Sequence, residues 1–216
     1  MRQVAWEPAE PIEITVHDDD ESADLIAPQL AGDGQLLYLT RRGPDGRMSI
    51  YRSRRVGGEW TRAEPVTELN SIANDIGPVV SNDGRTLYFF SNRSGGHGGY
   101  DLYVSQREAS DWATPQNLGD SVNSAANEFD PAVSPDGLHL FFSSDRTGAD
   151  ADRQSEWTVT IRRPLHGPDF DLYEASRGSA GAPFASVRPL QRLNRPGSHE
   201  GAPFISPDGS FLYFAS

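Results

Sequence analysis

Acidic side chains recur at a fixed distance from a proline. Asp75 precedes Pro78, Glu128 precedes Pro131 and Glu200 precedes Pro203, each by three residues, and Asp24 lies four before Pro28. Carboxylate oxygens gathered from separate segments make a cation or ligand site. His199, next to Glu200, would add an imidazole nitrogen. The same carboxylates could instead accept hydrogen bonds from neighbouring backbone and latch one segment to the next, and recurrence in every copy favours that structural use. The first use requires the segments that carry them to converge.

Other chemistry-bearing residues are less suggestive. Asp33, Asp83, Asp136 and Asp208 each precede a glycine, the pattern of a turn in which Asp caps its own backbone and Gly takes positive φ. Asp18-Asp19-Asp20-Glu21 offers oxygens for calcium but lacks EF-hand spacing, and reads as a solvated acidic loop. His17, His97, His139, His166 and His199 form no close ligand pair, so no metal is expected. Gly95-Gly96-His97-Gly98-Gly99 opens onto a strand and not a helix, which argues for a hairpin over a phosphate cradle. No G-x-S-x-G elbow is present, and Asn92-Arg93-Ser94 is a chance sequon. No catalytic residue and no cofactor are expected.

The elements that must position these residues are repeated. The turn glycines Gly34, Gly84, Gly137 and Gly209 recur with a period of about fifty residues once an extra segment, 148–168, is set aside. After each comes an apolar run: Leu37-Tyr38-Leu39, Leu87-Tyr88-Phe89, Leu140-Phe141-Phe142 and Leu212-Tyr213-Phe214. Side chains alternate faces along a strand, so this strand is expected to be buried on both sides. A second strand follows in three copies (Ser49-Ile50-Tyr51, Asp101-Leu102-Tyr103, Asp171-Leu172-Tyr173). Then come an aromatic and a proline (Trp60 and Pro65, Trp112 and Pro115, Phe184 and Pro189) and a pair ending in Asn70, Asn123 or Asn194. Four short strands repeated radially make a β-propeller, in which first strands line a central channel. The acidic residues before the prolines would then meet near one channel mouth.

The fold class is therefore all-β, a β-propeller of four-stranded blades. The blades span 24–72, 73–125 and 126–198 (with the insertion 148–168), and 199–216 gives the first strands of a further one. Residues 1–23 supply the last strand of a split blade, since Trp6-Glu-Pro-Ala-Glu-Pro-Ile12 matches Trp60 to Val66. The third strand of that split blade is missing, so a partial ring is expected over a small four-bladed one. The insertion carries Trp157, Val159 and Ile161 in alternation followed by Arg162-Arg163, and is either a partner-binding hairpin or a tolerated loop expansion.

Ser134-Pro135-Asp136-Gly137, the run from Leu140 to Ser143-Ser144-Asp145-Arg146, the Asp-Leu-Tyr strand, and Leu118-Gly119 through Val122-Asn123 together resemble the WD40-like (PD40) repeat of TolB-type β-propellers. The resemblance runs from Trp6 onward and is most specific over Asn92–Asn123 and Asp130–Arg146. It implies a periplasmic or extracellular envelope protein that binds protein partners.

Composition is compatible with this. The 216 residues include 21 Gly and 16 Pro, as a turn-rich all-β chain requires, and there is no Cys, which excludes disulfides and thiol chemistry. A net charge of −12 opposes binding to nucleic acid. No run reaches the roughly 18 apolar residues of a membrane span. The first twenty residues lack the features of a signal peptide, so any export signal is expected outside this sequence.

The functional expectation is a non-catalytic interaction module that binds a protein partner or small ligand. The alternative is a gating or substrate-binding propeller of a larger hydrolase or lyase whose catalytic part lies outside the chain. A third reading uses Trp60 and Trp112 as sugar-stacking platforms.

Overall fold

The computed structural model describes residues 12–16, 24–31, 34–109, 111–146 and 169–216, and all of their regular structure is β. The first sheet contains β1 (Leu25–Leu30), β2 (Leu36–Arg42), β3 (Met48–Val56), β4 (Glu59–Trp60) and β5 (Glu64–Pro65). The second contains β6 (Asp75–Val80), β7 (Thr86–Ser91), β8 (Asp101–Glu108), β9 (Asp111–Trp112) and β10 (Gln116–Asn117). The third contains β11 (Glu128–Val133), β12 (His139–Ser144), β13 (Asp171–Ser176) and β14 (Ala185–Pro189), and the fourth contains β15 (Gly201–Ile205) and β16 (Leu212–Ala215). Every pairing is antiparallel; most join strands that follow one another along the chain, while β5 pairs with β3 and β10 with β8.

The turn before each second strand is built by its own side chains. The Asp83 carboxylate accepts from Ser81 Oγ at 2.6 Å and from the Arg85 N–H at 3.0 Å, and Asp136 and Asp208 repeat the arrangement with Ser134 and Leu138, and with Ser206 and Ser210. Gly84, Gly137 and Gly209 follow at φ of +70°, +71° and +70°, a region costly for residues with a Cβ. Asp33 lies outside the described residues.

The first strand of each sheet is bulged at the residue before its proline. Ala27, Gly77, Asp130 and Ala202 have φ of 50°, 65°, 50° and 48°, and the pairing register slips there in all four sheets. At Gly77 a Cβ would lie 2.6 Å from Phe90 Cε1, so this copy has no room for a side chain. The kink turns the Gly77 N–H toward the preceding sheet, where it donates to Thr40 Oγ1 at 3.1 Å.

Second strands carry the core. Tyr38, Leu39, Leu87, Tyr88, Phe89, Leu140 and Phe142 are all buried to 2% exposure or less. Burial on both faces holds for β2 and β7. It does not hold for Phe141, which is half-buried, because its face of β12 meets only the two-stranded fourth sheet. Consecutive sheets pack in order, β1 on β6, β7 on β11 and β11 on β15, and among the described strands none of the fourth sheet contacts the first.

At the leading end Val16 packs with Leu37, Leu39 and Ala63 on the open face of the first sheet, and the Ala63 N–H donates to Thr15 O at 2.8 Å. Residues Met1 to Pro11 of the expected split blade lie outside the described residues.

Candidate functional site

The recurring carboxylates are each built into a buried latch. Asp75 is fully buried and accepts from the Ser71 N–H and, at 2.8 Å, from Ser71 Oγ, four residues back along the loop entering the second sheet. Its other oxygen meets Arg93 Nη2. That guanidinium also donates to Leu69 O at 2.6 Å and lies over the rings of Phe89 and Tyr103, 5.0 and 4.9 Å from their centroids. Leu69 belongs to the exit from the first sheet, so the latch ties one sheet to the next.

The third sheet repeats the device. Glu128, fully buried, accepts from the Ser124 N–H, Ser124 Oγ, Ser144 Oγ at 3.1 Å and Arg146 Nη2 at 3.0 Å. Arg146 donates to Val122 O at 2.7 Å and covers Phe142 and Tyr173. Burial pushes the Glu128 carboxyl above its usual range, against the opposing pull of the Ser124 hydroxyl and the Arg146 charge. Glu200, also fully buried, accepts from the Arg195 N–H at 3.3 Å and from Ser216 Oγ at 3.1 Å.

Two of the sequence-assigned residues sit elsewhere. Asp24 is not the counterpart of Asp75: strand register pairs Leu25 with Arg41 as it pairs Asp75 with Ser91, so Leu25 occupies the latch position. The Asp24 side chain is exposed, 3.5 Å from Arg42 Nε. His199 does not turn toward a shared site. Its Nδ1 accepts the Phe170 N–H at 3.3 Å, the task Asn127 performs for Tyr100 and Asn74 for Met48. Among the described residues no three His, Asp or Glu side chains are grouped to hold a metal ion. Trp157, Arg162 and Arg163 of the insertion, the acidic run 18–21, His17 and His166 lie outside the described residues.

The glycine-rich loop is occupied by its own protein. His97 and Gly98 direct their N–H groups at the Asp101 carboxylate, and Gly98 packs so tightly on Ala126 O that no side chain would fit. Trp112 is 5% exposed and Trp60 half-buried, so neither is a free sugar platform.

Some working residues escaped the sequence reading. Asn70, Asn123 and Asn194 each grip the third strand of their sheet with both amide atoms. Asn123 takes the Leu102 N–H at 2.8 Å and gives to Leu102 O at 3.0 Å. Asn70 does the same to Ile50 and Asn194 to Leu172. Their recurrence was visible, but the backbone they serve is some twenty positions away in sequence. Asp130 reads in the sequence as one more strand residue. Its carboxylate accepts from the Ala202 N–H at 3.3 Å and Ser143 Oγ at 3.4 Å, and burial raises its pKa. On the outer part of the third sheet Glu174 is held at 2.7 Å by His139 Nδ1 and by both Nε and Nη2 of Arg188.

A cavity of about 550 Å³ opens on the hairpin of the first sheet, lined by Arg41, Asp45, Arg47, Ser49 and Tyr51 among others. Arg41 Nη1 donates to the Tyr51 hydroxyl at 3.2 Å, and Arg47 lies 3.4 Å from Asp45. Two guanidiniums beside hydroxyl groups suit an anionic ligand.

Antiparallel sheets packed one on the next, bulged first strands and latches from sheet to sheet define a β-propeller protein. Solved structures agree. TolB from Acinetobacter baumannii superposes with a TM-score of 0.55 at 18% identity, over 90% of this chain and 38% of that one. A protein from Agrobacterium tumefaciens described as a TolB gives 0.55 at 20% identity, over 91% and 59%. A protein from Bacteroides uniformis described as a 6-phosphogluconolactonase gives 0.55 at 16%, over 94% and 51%. The chain thus spans between 38% and 59% of the length of these structures. At such identities the likeness shows the fold. No family model matches the chain, and no curated protein matches it.

Proposed function

We propose that the chain is a non-catalytic β-propeller interaction module, a protein-binding scaffold of a bacterial envelope or exported protein, with a periplasmic location implied by its resemblance to TolB-type repeats. The observation that carries this reading is the use made of the recurring carboxylates. Asp75 and Glu128 are committed to holding loops and arginines. Held at both ends in this way, the loop 71–75 presents Ile72 to solvent at 94% exposure. A rigid loop offering an apolar tip loses little conformational entropy on binding. The expected result is a protein partner that photo-crosslinks through position 72, with Ile72→Asp weakening the purified complex at unchanged melting temperature. Turnover of a lactone, peptide or glycoside by the chain, abolished by one substitution, would sink the reading.

A second reading is favoured by the first-sheet cavity: a substrate-binding or gating propeller of a larger hydrolase or lyase. Its guanidinium lining would take a carboxylate-bearing small molecule. Titration with such ligands, with Arg47→Ala as the control, separates it from the first.

A further inference from the structure

Three loops at one end of the second sheet form a continuous surface. Residues 70–74 lead into β6, 92–99 join β7 to β8, and 123–127 lead into β11. Because paired strands run antiparallel, the start of β6, the end of β7 and the start of β8 lie at the same end of the sheet. The Asn74 N–H donates to Asn92 Oδ1 at 2.9 Å, the Gly99 N–H to Ala126 O at 3.2 Å and the Tyr100 N–H to Asn127 Oδ1 at 3.0 Å. The middle loop is thus fastened to both of its neighbours.

This surface is short of charge. Charged residues make up 23% of the chain, yet the loops read Asn-Ser-Ile-Ala-Asn, Asn-Arg-Ser-Gly-Gly-His-Gly-Gly and Asn-Ser-Ala-Ala-Asn. Arg93 is their one residue of fixed charge, and it is spent on the fully buried Asp75. Asp145 of the third sheet turns its carboxylate to the Asn127 N–H at 2.7 Å and to Asn127 Nδ2 at 2.9 Å. The repeat does not demand this neutrality, since the β2–β3 hairpin, the counterpart of 92–99, carries Asp45 and Arg47. Nor does the latch demand Ile72. Ser71 and Ser124 serve their carboxylates alike, and the residue after each is Ile72 in one copy and Ala125 in the other. Ile72 is 94% exposed, and Asn92, Ser94, His97 and Ala125 are exposed on the same surface. Depletion of charge around an apolar anchor marks the core of a protein interface.

We propose that this end of the second sheet docks an uncharged segment of a protein partner, which seats an apolar side chain against Ile72 and meets the polar groups of Asn92, Ser94 and His97. A chain of net charge −12 attracts basic partners by its overall field, which salt screens. Contacts on a surface without charge of its own are left in place by salt. The three loops hold no Trp, Tyr or Phe on which a sugar ring could stack, which favours a protein over a glycan. The proposal rests on the reading of the chain as an interaction module and adds the chemistry of what binds at position 72.

Panning a phage-displayed random peptide library against the whole purified chain tests this. The enriched peptides are expected to be uncharged with a recurring apolar residue, and to keep their affinity from about 0.1 to about 1 M NaCl. Ile72→Asp, Ser94→Arg and Ala125→Glu, all at exposed positions, should each weaken them about tenfold or more. Glu59→Arg, on the hairpin at the opposite end of the first sheet, should leave them bound. Peptides indifferent to the three substitutions, no enrichment over a variant carrying all three, or displacement by the N-acetylglucosamine trimer would overturn the proposal. A charged, salt-sensitive peptide bound through position 72 would overturn the partner chemistry and leave the interaction module standing, whereas the absence of any peptide bound there counts against both.

Discussion

Arg146 places one nitrogen 3.0 Å from Glu128 and gives a hydrogen bond to Val122 O at 2.7 Å, so one guanidinium joins the inner strand of the third sheet to the exit loop of the second. Removing the arginine strands a carboxylate that is fully buried. Arg146→Met should cost about 3 kcal/mol or more, the scale of an uncompensated buried charge. Glu128→Gln keeps an acceptor and should cost less. Urea denaturation gives the order, and an Arg146→Met loss below that of Glu128→Gln contradicts the latch.

Asn123 is a second fastener that a conservative change should break. Asn123→Ala leaves the buried Leu102 N–H without its acceptor, while Leu102 O keeps the Leu118 N–H, a loss of about 2 kcal/mol. Asn123→Asp retains the acceptor but sets an oxygen against Leu102 O, so it should be no better tolerated than Ala. Thermal melts of the two variants side by side check this.

Adjacent phenylalanines of β12 should differ. Phe142 is fully buried and stacks on Tyr173 at 5.8 Å, so Phe142→Ala should cost about 3–5 kcal/mol. Phe141, half-buried, should cost clearly less. Equal losses in chemical denaturation would mean that both faces of the strand are covered in solution.

Asp130 should give stability a pH dependence of definite sign. Burial raises its folded-state pKa above the 3.8 of the free side chain, so the protonated form is the one the fold favours. Its contribution is fully present below the unfolded pKa and is lost as pH rises through the folded one. Asp130→Asn lacks this titration. The variant should therefore gain on the wild type as pH is raised from about 4 to about 7. A gap that narrows instead would show that the ionised carboxylate is favoured.

The surroundings lower or raise these acids according to place and not to residue type. The Asp83, Asp136 and Asp208 carboxyls are pulled down, foremost by the hydroxyls of Ser81, Ser134 and Ser206, while Glu128 and Asp130 are pushed up by burial. As local turn motifs the first three were readable from a few adjacent residues. Asp130 stands in a strand outside any such motif, and its burial depends on the contacts its strand makes with others.

The sequence by itself determined the repeated strands and the turns between them, because strand periodicity and Ser-x-Asp-Gly turn chemistry act within a dozen residues. It also marked Asp75, Glu128 and Glu200, whose spacing to a proline is a property of one strand. Only the tertiary structure decided what those carboxylates do. Their partners Arg93 and Arg146 lie 18 positions away in sequence, and those arginines reach carbonyls 24 positions back, so the distance between them is set by sheet packing. Leu25 and not Asp24 holds the first latch position: it lies three residues before Pro28 as Asp75 lies three before Pro78, and both strands carry the same bulge after it. Sheet packing also decided which rings are covered: Tyr88 and Tyr213 sit in near-identical sequence, yet one is buried and the other open, because burial depends on the neighbouring sheet.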